Sequence, residues 1–389
     1  MYVLTLKKNE EKRILNGHPW VYANEVAKIE GKDAQGSIAK VCGNDGRFIG
    51  YGYINHLSKI IVRILTYRDE PIDRKFFYDR IKASNDLRLA LGYRNNYRAV
   101  FGENDLLPGL IVDKYGEYLS VQFLTLGMEV RKQMITDILV EIFSPKGIYE
   151  RSDVTVREKE GLPLVKGALY GSFDPVVTIE ENGIKMLIDL ENGQKTGYFL
   201  DQKENRANLA RYVRGKTVLD CFSNVGGFAM NAAANGASSV LAIDISRTAV
   251  DYIEKNAALN GFTNIETLCA DVFEKLRDFR KEGRKFGVVV LDPPAFTKSK
   301  DTVKEAYRGY KDVNIQALKL VEKGGFLVTC SCSQHLTVNL FNEMIKESVA
   351  QSGVRAKMIE FRTQSRDHGT LIGLDEGLYL KVAVLAIVG

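Results

Sequence analysis

The chain contains little of what a metal site, a disulfide framework or a membrane anchor requires. Only five cysteines and four histidines occur among its 389 residues. The odd, scattered cysteines argue against a disulfide framework, and the histidines lack metal-ligand spacing. No apolar run approaches the roughly 20 residues that span a bilayer, and residues 1–8 become charged too quickly for a signal peptide. We therefore expect a cytoplasmic protein with no metal ion and no membrane partner.

The charge composition permits a polyanionic partner without requiring one. The net charge is +5, and the hydrophobic and charged fractions of 45% and 26% are those of an ordinary soluble globular protein. One basic cluster occurs near the start of the chain, at residues 7–13. A second is more informative because it follows the Asp-Pro-Pro element of a candidate active site. It comprises Lys298, Lys300, Lys304, Arg308 and Lys311.

The sequence pattern predicts a multi-domain α/β protein. Residues 1–72 contain short strand-like runs separated by glycines, which is typical of a compact β-barrel. Residues 73–172 combine a charged surface helix over 75–91 with a hairpin over 110–123, which predicts a central α+β domain. The segment 161–171 is interpreted as a loop and a domain boundary.

Residues 173–389 predict a Rossmann-like, doubly wound sheet. Short apolar strands alternate with helices, which is the pattern of a parallel sheet covered by helices on both faces. The predicted strands are 217–220, 239–244, 264–270, 288–292 and 325–329. The last apolar run, 377–388, has no helix after it, so we expect it to join the sheet as an antiparallel strand.

A strand, a glycine turn and a helix follow one another over residues 218–228, as in a nucleotide-cofactor site. The glycines allow the backbone to approach a ligand closely. Asp244 is suited to a ribose diol and Asp271 to an adenine amine, whereas Asp220 would repel a pyrophosphate and suits a cation. Because the turn also lacks the G-x-G-x-x-G fingerprint, we predict S-adenosylmethionine rather than a nicotinamide cofactor. The alternative is that the glycine pair forms a simple tight turn. The predicted cofactor-binding residues are Asp220, Phe222, Ser223, Gly226, Asp244, Asp271, Asp292, Gln194 and Thr196.

Four motifs in combination resemble one known family. They are Gly193-Gln194-Lys195-Thr196-Gly197-x-Phe199-Leu200-Asp201-Gln202, Asp220-x-Phe222-Ser223-x-x-Gly226-Gly227-Phe228, Asp292-Pro293-Pro294-x-Phe296 and Thr329-Cys330-Ser331-Cys332-Ser333. With them the chain resembles the type I large-subunit ribosomal RNA methyltransferases, which use S-adenosylmethionine to methylate cytosine at C5. Residues 17–22 resemble the PUA RNA-binding domain of such proteins, and residues 103–113 resemble their middle domain. The resemblance implies a PUA-like barrel over 1–72, a central α+β domain over 73–172 and a class I methyltransferase domain over 173–389.

The chemistry of the residues agrees with the covalent mechanism that the resemblance implies. C5 of cytosine is a weak nucleophile until a thiolate adds to C6, and the nucleotide must be flipped from its stack to reach an enclosed site. The family pattern places the thiolate at Cys332, although Cys330 shares its strand face and stays an alternative. Asp292 is expected to hold the cytosine, and the base that removes the C5 proton is not identified. The predicted substrate-binding residues are Phe296, Lys298, Tyr198, Lys195 and Arg206.

Two other functions stay open from the sequence alone. An Asp-Pro-Pro-aromatic element also serves the methylation of exocyclic amines, which needs no thiol. A chain with this architecture can also be an RNA-binding assembly factor whose methyltransferase core is inactive. For the favoured function, the resemblance implies 23S ribosomal RNA as the partner, as naked RNA or an early assembly intermediate, and allows a homodimer.

Overall fold

The computed structural model describes residues 1–297 and 300–389, and the chain forms two compact units. The first unit comprises Met1–Ile179, Ile188–Leu200 and Arg366–Gly377. The second unit comprises Glu180–Leu187, Asp201–Ser365 and Leu378–Gly389. The boundaries that the sequence suggests after residues 72 and 172 stay predictions.

The N-terminal part of the first unit is a mixed, glycine-rich sheet. Its elements are β1 (Tyr2–Leu6), α1 (Glu11–Leu15), β2 (Trp20–Tyr22), β3 (Val26–Glu30), β4 (Ile38–Cys42), β5 (Phe48–Ile54) and β6 (Ile60–Thr66). The strands lie in the order β2-β6-β5-β4-β1-β3. Gly50 and Gly52 allow β5 and β6 to approach closely, because a Cβ at either position would meet the backbone carbonyl oxygen of Thr66 or Arg63. The apolar side chains of this sheet form their own buried core.

The rest of the first unit is an α+β arrangement with a second core. Its elements are α2 (Arg74–Ala90), β7 (Asn96–Phe101), β8 (Leu110–Tyr115), β9 (Tyr118–Phe123), α3 (Leu126–Glu129), α4 (Lys132–Phe143), β10 (Gly147–Ser152) and β11 (Val165–Tyr170). The strands lie in the order β11-β10-β9-β8-β7, and β8 with β9 confirms the predicted hairpin. The predicted loop over 161–171 is wrong, because β11 pairs with β10. Its side chains alternate between half-buried and exposed, as on an edge strand, so no apolar run marks it in the sequence.

Two strands form a separate small sheet that contains residues of both units. They are β12 (Val176–Glu181) and β13 (Ile184–Asp189).

The second unit is a doubly wound sheet, and its predicted strands are confirmed. Its elements are α5 (Lys203–Asn208), α6 (Ala210–Val213), β14 (Thr217–Cys221), α7 (Gly227–Ala234), β15 (Ser239–Asp244), α8 (Arg247–Leu259), β16 (Ile265–Cys269), α9 (Val272–Lys281), β17 (Phe286–Leu291), α10 (Val303–Leu320), β18 (Val321–Ser331), α11 (Val338–Ser352), β19 (Ala356–Arg362) and β20 (Lys381–Ile387). The order across the sheet is β16-β15-β14-β17-β18-β20-β19. The first five strands are parallel, and β20 pairs antiparallel with β18 as expected. This confirms the multi-domain α/β fold class.

Candidate active site

The candidate site lies at the carboxyl edge of the parallel strands in the second unit. In sheets of this kind, ligands bind beyond the carboxyl ends of the strands, near the point where the strand order reverses. Here β14 lies between β15 and β17, so the order reverses beside β14. The polar residues at the ends of these strands therefore share one edge.

The turn after β14 is shaped by left-handed backbone and by a buried carboxylate. Gly226 has φ +86°, and a Cβ there would lie 3.2 Å from side-chain carbons of Ile253, so glycine suits the turn sterically. Asp220 is 1% exposed, and its Oδ2 accepts a hydrogen bond from Ala229 N at 3.0 Å. Among the described residues its Oδ1 has no hydrogen-bond partner. Burial, reinforced by the charges of Asp292 and Asp244, raises the pKa of Asp220 to about 7.

The carboxylates that follow β15 and β16 are fixed by backbone amides. Asp244 accepts from Asn224 N and Ser246 N, each at 2.9 Å. Asp271 caps α9 by accepting from Glu274 N at 3.1 Å. An ionised carboxylate has about four acceptor positions, so both residues retain capacity for hydroxyl or amine donors. Their contact with a ribose and an adenine stays a prediction.

Asp292 and Cys332 come together beyond two neighbouring strands, β17 and β18. Asp292 directly follows β17, and its Oδ1 accepts from Gln202 Nε2 at 2.9 Å. Cys332 directly follows β18, and its Sγ lies 3.9 Å from the carbonyl oxygen of Pro293. Cys332 is half-buried, whereas Cys330 is 0% exposed and burial raises its pKa well above the ordinary value. The exposure of the two thiols therefore favours Cys332 for contact with a ligand.

Phe296 belongs to an aromatic cluster, whereas the sequence suggests that it stacks on a base. Its ring centroid lies 4.5 Å from Tyr310, 5.8 Å from Phe273 and 6.5 Å from Phe222. The Tyr310 hydroxyl in turn hydrogen-bonds the Ser333 hydroxyl at 2.9 Å. The cluster anchors the segment after Asp292, and stacking of Phe296 on a nucleotide stays a prediction.

Two buried polar residues of the site were not anticipated in these positions from the sequence. Gln202, 2% exposed, donates to Asp292 and accepts from Asn205 Nδ2 at 2.8 Å. Lys381, also 2% exposed, donates to the carbonyl oxygens of Ser333 and Tyr379. The available signal for Lys381 was its charge within an apolar strand, since such a residue is rarely buried without a reason.

The predicted residues upstream of β14 have other described contacts. Thr196 Oγ1 donates to Asp113 Oδ2 within the first unit, and Lys195 Nζ lies 4.5 Å from the Phe199 ring centroid. Gln194 is exposed and Tyr198 is buried, both in the first unit. Their roles toward cofactor or substrate stay predictions.

Arg206 is a buried structural cation in its described contacts. Its Nε and Nη2 donate to the two carboxylate oxygens of Glu181 at 2.6 and 2.7 Å, and both residues are nearly fully buried. A role in substrate binding stays a prediction. Lys298, the other predicted cation, lies outside the described residues.

The basic helix beside the site presents two exposed cations. Lys304 and Arg308 are exposed and one turn apart on α10, whereas Lys311 is held by Glu347 at 3.0 Å. Over the residues that the structure describes, no group of three His, Cys, Asp or Glu side chains is placed to hold a metal ion. In the same residues, no helix combines the length and apolar character needed to cross a membrane.

Comparison with known proteins defines the class of this site. Residues 167–362 match the family model of S-adenosylmethionine-dependent methyltransferases, and residues 4–67 match a PUA-like domain. A candidate SAM-dependent methyltransferase from Streptococcus mutans covers 99% of this chain and 100% of its own, with a TM-score of 0.84 and 20% identity. A further solved structure, of a candidate methyltransferase complexed with SAH, has a TM-score of 0.86 at 20% identity. At this identity the structures establish the shared fold.

Relatives of higher identity define the family. "Ribosomal RNA large subunit methyltransferase I" of Aeromonas salmonicida is 40% identical over 388 residues, covering 98% of both chains. The protein of the same name from Shewanella amazonensis is 41% identical and covers 99% of both chains. The chain belongs to the ribosomal RNA large subunit methyltransferase I family of S-adenosylmethionine-dependent enzymes.

The turn after β14 fits this cofactor. The buried, unpaired Oδ1 of Asp220 needs a donor, and the ammonium group of S-adenosylmethionine is a suitable one. Asp244 and Asp271 offer acceptors for the ribose hydroxyls and the adenine amine from the next two strand ends. The bound cofactor would supply an electrophilic methyl group at this edge of the sheet.

Proposed function

We propose that this chain methylates C5 of a cytidine in large-subunit (23S) ribosomal RNA through a covalent bond between Cys332 and C6 of the base. The placement of Cys332 carries the proposal: a half-exposed thiol lies directly past β18, beside the segment that begins with Asp292. The names of the full-length relatives support large-subunit ribosomal RNA as the substrate.

The covalent step makes a poor carbon nucleophile reactive. The Cys332 thiolate donates an electron pair to C6, which forms the S–C6 bond and makes C5 electron-rich. The cofactor, when bound, would supply the electrophilic methyl group that C5 takes up and would be left as its neutral thioether. Loss of the C5 proton restores the C5–C6 double bond and expels the thiolate. One methyl group replaces one proton, and Cys332 returns to its initial state.

Asp292 is proposed to hold the cytosine while Cys332 adds. A carboxylate accepts hydrogen bonds from the cytosine amine and from a protonated N3, and protonation at N3 makes C6 a better electrophile. Gln202 Nε2 fixes one carboxylate oxygen, and Asn205 fixes the amide of Gln202 in turn. This relay orients the carboxylate before the base arrives.

The exposed cations of α10 are proposed to contact RNA phosphates. Lys304 and Arg308 are exposed on the helix that begins just after the Asp292 segment. Contacts of this kind position a nucleic acid without reading its sequence, and they weaken as salt rises. They would guide a flipped nucleotide toward the thiol.

The decisive variant is Cys332→Ala, with Cys330→Ala as its matched control. We expect Cys332→Ala to abolish 5-methylcytidine formation, measured by mass spectrometry of large-subunit rRNA, while calorimetry shows unchanged cofactor affinity. Cys330→Ala should retain most of the activity, because that thiol is fully buried. Retained methylation in Cys332→Ala would refute the covalent mechanism and favour an exocyclic amine as the target. No methylation by the wild-type chain together with no cofactor binding would instead favour an inactive assembly factor.

A further inference from the structure

Lys381 is a buried cation that pairs with or contacts the residues on both sides of Cys332. It begins β20, and in the antiparallel pairing of β18 with β20 it lies opposite Ser331, the residue before Cys332. Its Nζ donates to the carbonyl oxygen of Ser333, the residue after Cys332, at 2.7 Å. A second donation, to the carbonyl oxygen of Tyr379 at 2.8 Å, fixes the ammonium group. The side chain is therefore held against the backbone that carries the thiol.

The environment of Lys381 lacks the usual compensation for a buried charge. Among the described residues, its hydrogen-bond acceptors are two neutral carbonyl oxygens and it forms no ion pair with a carboxylate. Burial lowers the pKa of Lys381 to about 8. The negative charge of a Cys332 thiolate opposes this effect and raises the pKa of Lys381. A lysine in such a position is destabilising unless a negative charge accompanies it.

The interaction between the two groups is mutual. The free energy by which a Cys332 thiolate favours the Lys381 ammonium is also the free energy by which the ammonium favours the thiolate. The pairing of Lys381 with Ser331 and its hydrogen bond to the Ser333 carbonyl oxygen hold the ammonium group beside the backbone of Cys332.

We propose that Lys381 is a positioning residue that keeps Cys332 as a thiolate poised to add to a pyrimidine. This inference rests on the proposed function, since a resting thiolate is needed only if Cys332 is the nucleophile. On formation of the pair, the Cys332 thiol loses its proton to water and Lys381 keeps its own. The resulting ion pair is neutral overall, which suits its burial.

Three other titratable groups of the described residues lie on the elements around this position. Asp292 follows β17, Cys330 lies in β18 and Tyr310 lies on α10. Burial, with the nearby charge of Cys332, raises the pKa of Tyr310 to about 12, so Tyr310 stays neutral at physiological pH. Asp292 is an acid whose charge acts against a thiolate. The ammonium group of Lys381 offsets the charge of this acidic neighbour.

The test is the pH profile of Cys332 alkylation by iodoacetamide, measured by peptide mass spectrometry in the full-length protein. We compare the wild type with Lys381→Met, Lys381→Arg and the control Lys346→Met, at an exposed lysine on α11. The alkylation midpoint should rise by about one pH unit or more in Lys381→Met. At pH values below both midpoints the alkylation rate should then fall about tenfold, because a tenfold change corresponds to one unit. Lys381→Arg should reverse part of the shift, and Lys346→Met should leave the midpoint unchanged.

The outcomes separate this inference from the proposed function. An unchanged midpoint in a Lys381→Met protein that still binds S-adenosylmethionine overturns the role of Lys381. If that variant does not fold, the test uses the wild-type protein and Cys332→Ala. The thiolate absorbance that is present in the wild type and absent in Cys332→Ala should titrate below the ordinary cysteine value of about 8.5. A midpoint at or above that value overturns the proposal. Continued 5-methylcytidine formation by Cys332→Ala would instead refute the proposed function and leave the alkylation result standing.

Discussion

At the scale of single residues, the site depends on buried polar groups whose charge is set by their surroundings. Asp220 and Lys381 are both nearly fully buried, and within the described part of the chain neither forms an ion pair that would compensate its burial. The two shifts move each group toward its neutral form. Each residue is therefore poised to gain a charged partner, which is the cofactor ammonium for Asp220 and the Cys332 thiolate for Lys381.

Cofactor binding should depend on the ionisation of Asp220. Burial raises its pKa to about 7, so below that pH the carboxyl is protonated and cannot pair with an ammonium. We expect the affinity for S-adenosylmethionine to increase about tenfold between pH 5.5 and pH 7, measured by calorimetry. Asp220→Asn should weaken binding at pH 7 and flatten the profile. Asp278→Asn, at a partly exposed carboxylate on α9, should keep the wild-type profile. A flat wild-type profile would contradict the assignment.

Gln202 should act on the rate through Asp292. Gln202→Leu removes the donor that fixes Asp292 Oδ1, a charge-assisted hydrogen bond worth about 1.5–3 kcal/mol. We expect kcat for RNA methylation to fall about 10- to 100-fold with little change in cofactor affinity. Gln133→Leu is the matched control, because Gln133 donates to Asp137 on an exposed helix face. Equal effects of the two substitutions would argue against a positioning role.

At the scale of elements, the turn after β14 couples backbone shape to cofactor binding. Gly226→Ala places a Cβ in left-handed backbone, at a cost of about 1–2 kcal/mol, and crowds Met230 and Ile253 as well. We expect a lower Tm and weaker binding of S-adenosylmethionine. Gly215→Ala has a similar φ of +70° with open space around it, so it should lower Tm without changing the affinity. Equal affinities in both variants would show that the turn tolerates a side chain.

Elements that contain an apolar run or a glycine turn could be predicted from the sequence. Features that depend on the pairing of strands could not. Strands β14, β17 and β18 could be recognised because they are largely buried and end at or next to an acidic residue or a thiol. β19 was missed because it is an edge strand with Met358 and Phe361 partly exposed, so its sequence alternates weakly. The position of Lys381 beside Cys332 depends on the register of β18 with β20, which no local pattern encodes.

The same limit applies to the relay behind Asp292. Gln202 stood in a recognised motif, but its partner Asn205 is fixed in turn by Arg362 Nε at 2.9 Å and by the Thr363 carbonyl oxygen at 3.1 Å. These contacts join residues about 160 positions apart in the chain. Sequence reasoning can identify the donor types of such a network, but the fold selects which of them meet.

At the scale of the whole molecule, the two parts of the first unit are joined by a buried ionic network. Glu160 is 2% exposed and accepts hydrogen bonds from Asn55, Ser58 and Arg63 at 3.0, 2.6 and 2.9 Å. Tyr53 adds a second connection, because its hydroxyl donates to the Pro108 carbonyl oxygen at 2.7 Å. The PUA-like sheet and the α+β part should therefore unfold together.

Glu160→Ala tests this coupling. Among the residues that the structure describes, the substitution leaves the buried Arg63 guanidinium with Glu103, 3.7 Å away, as its charged partner. Removing one member of a buried pair costs about 3 kcal/mol or more, which should lower the Tm of the first unit by several degrees. Glu158→Ala, at an exposed position of the same short helix, should have little effect. The affinity for the cofactor reports on the second unit and should not change in either variant. Methylation of RNA at 37 °C should fall in Glu160→Ala, because the PUA-like sheet would be destabilised. If the wild-type protein already gave a separate, earlier transition for the PUA-like sheet alone, the two parts would be independent folding units.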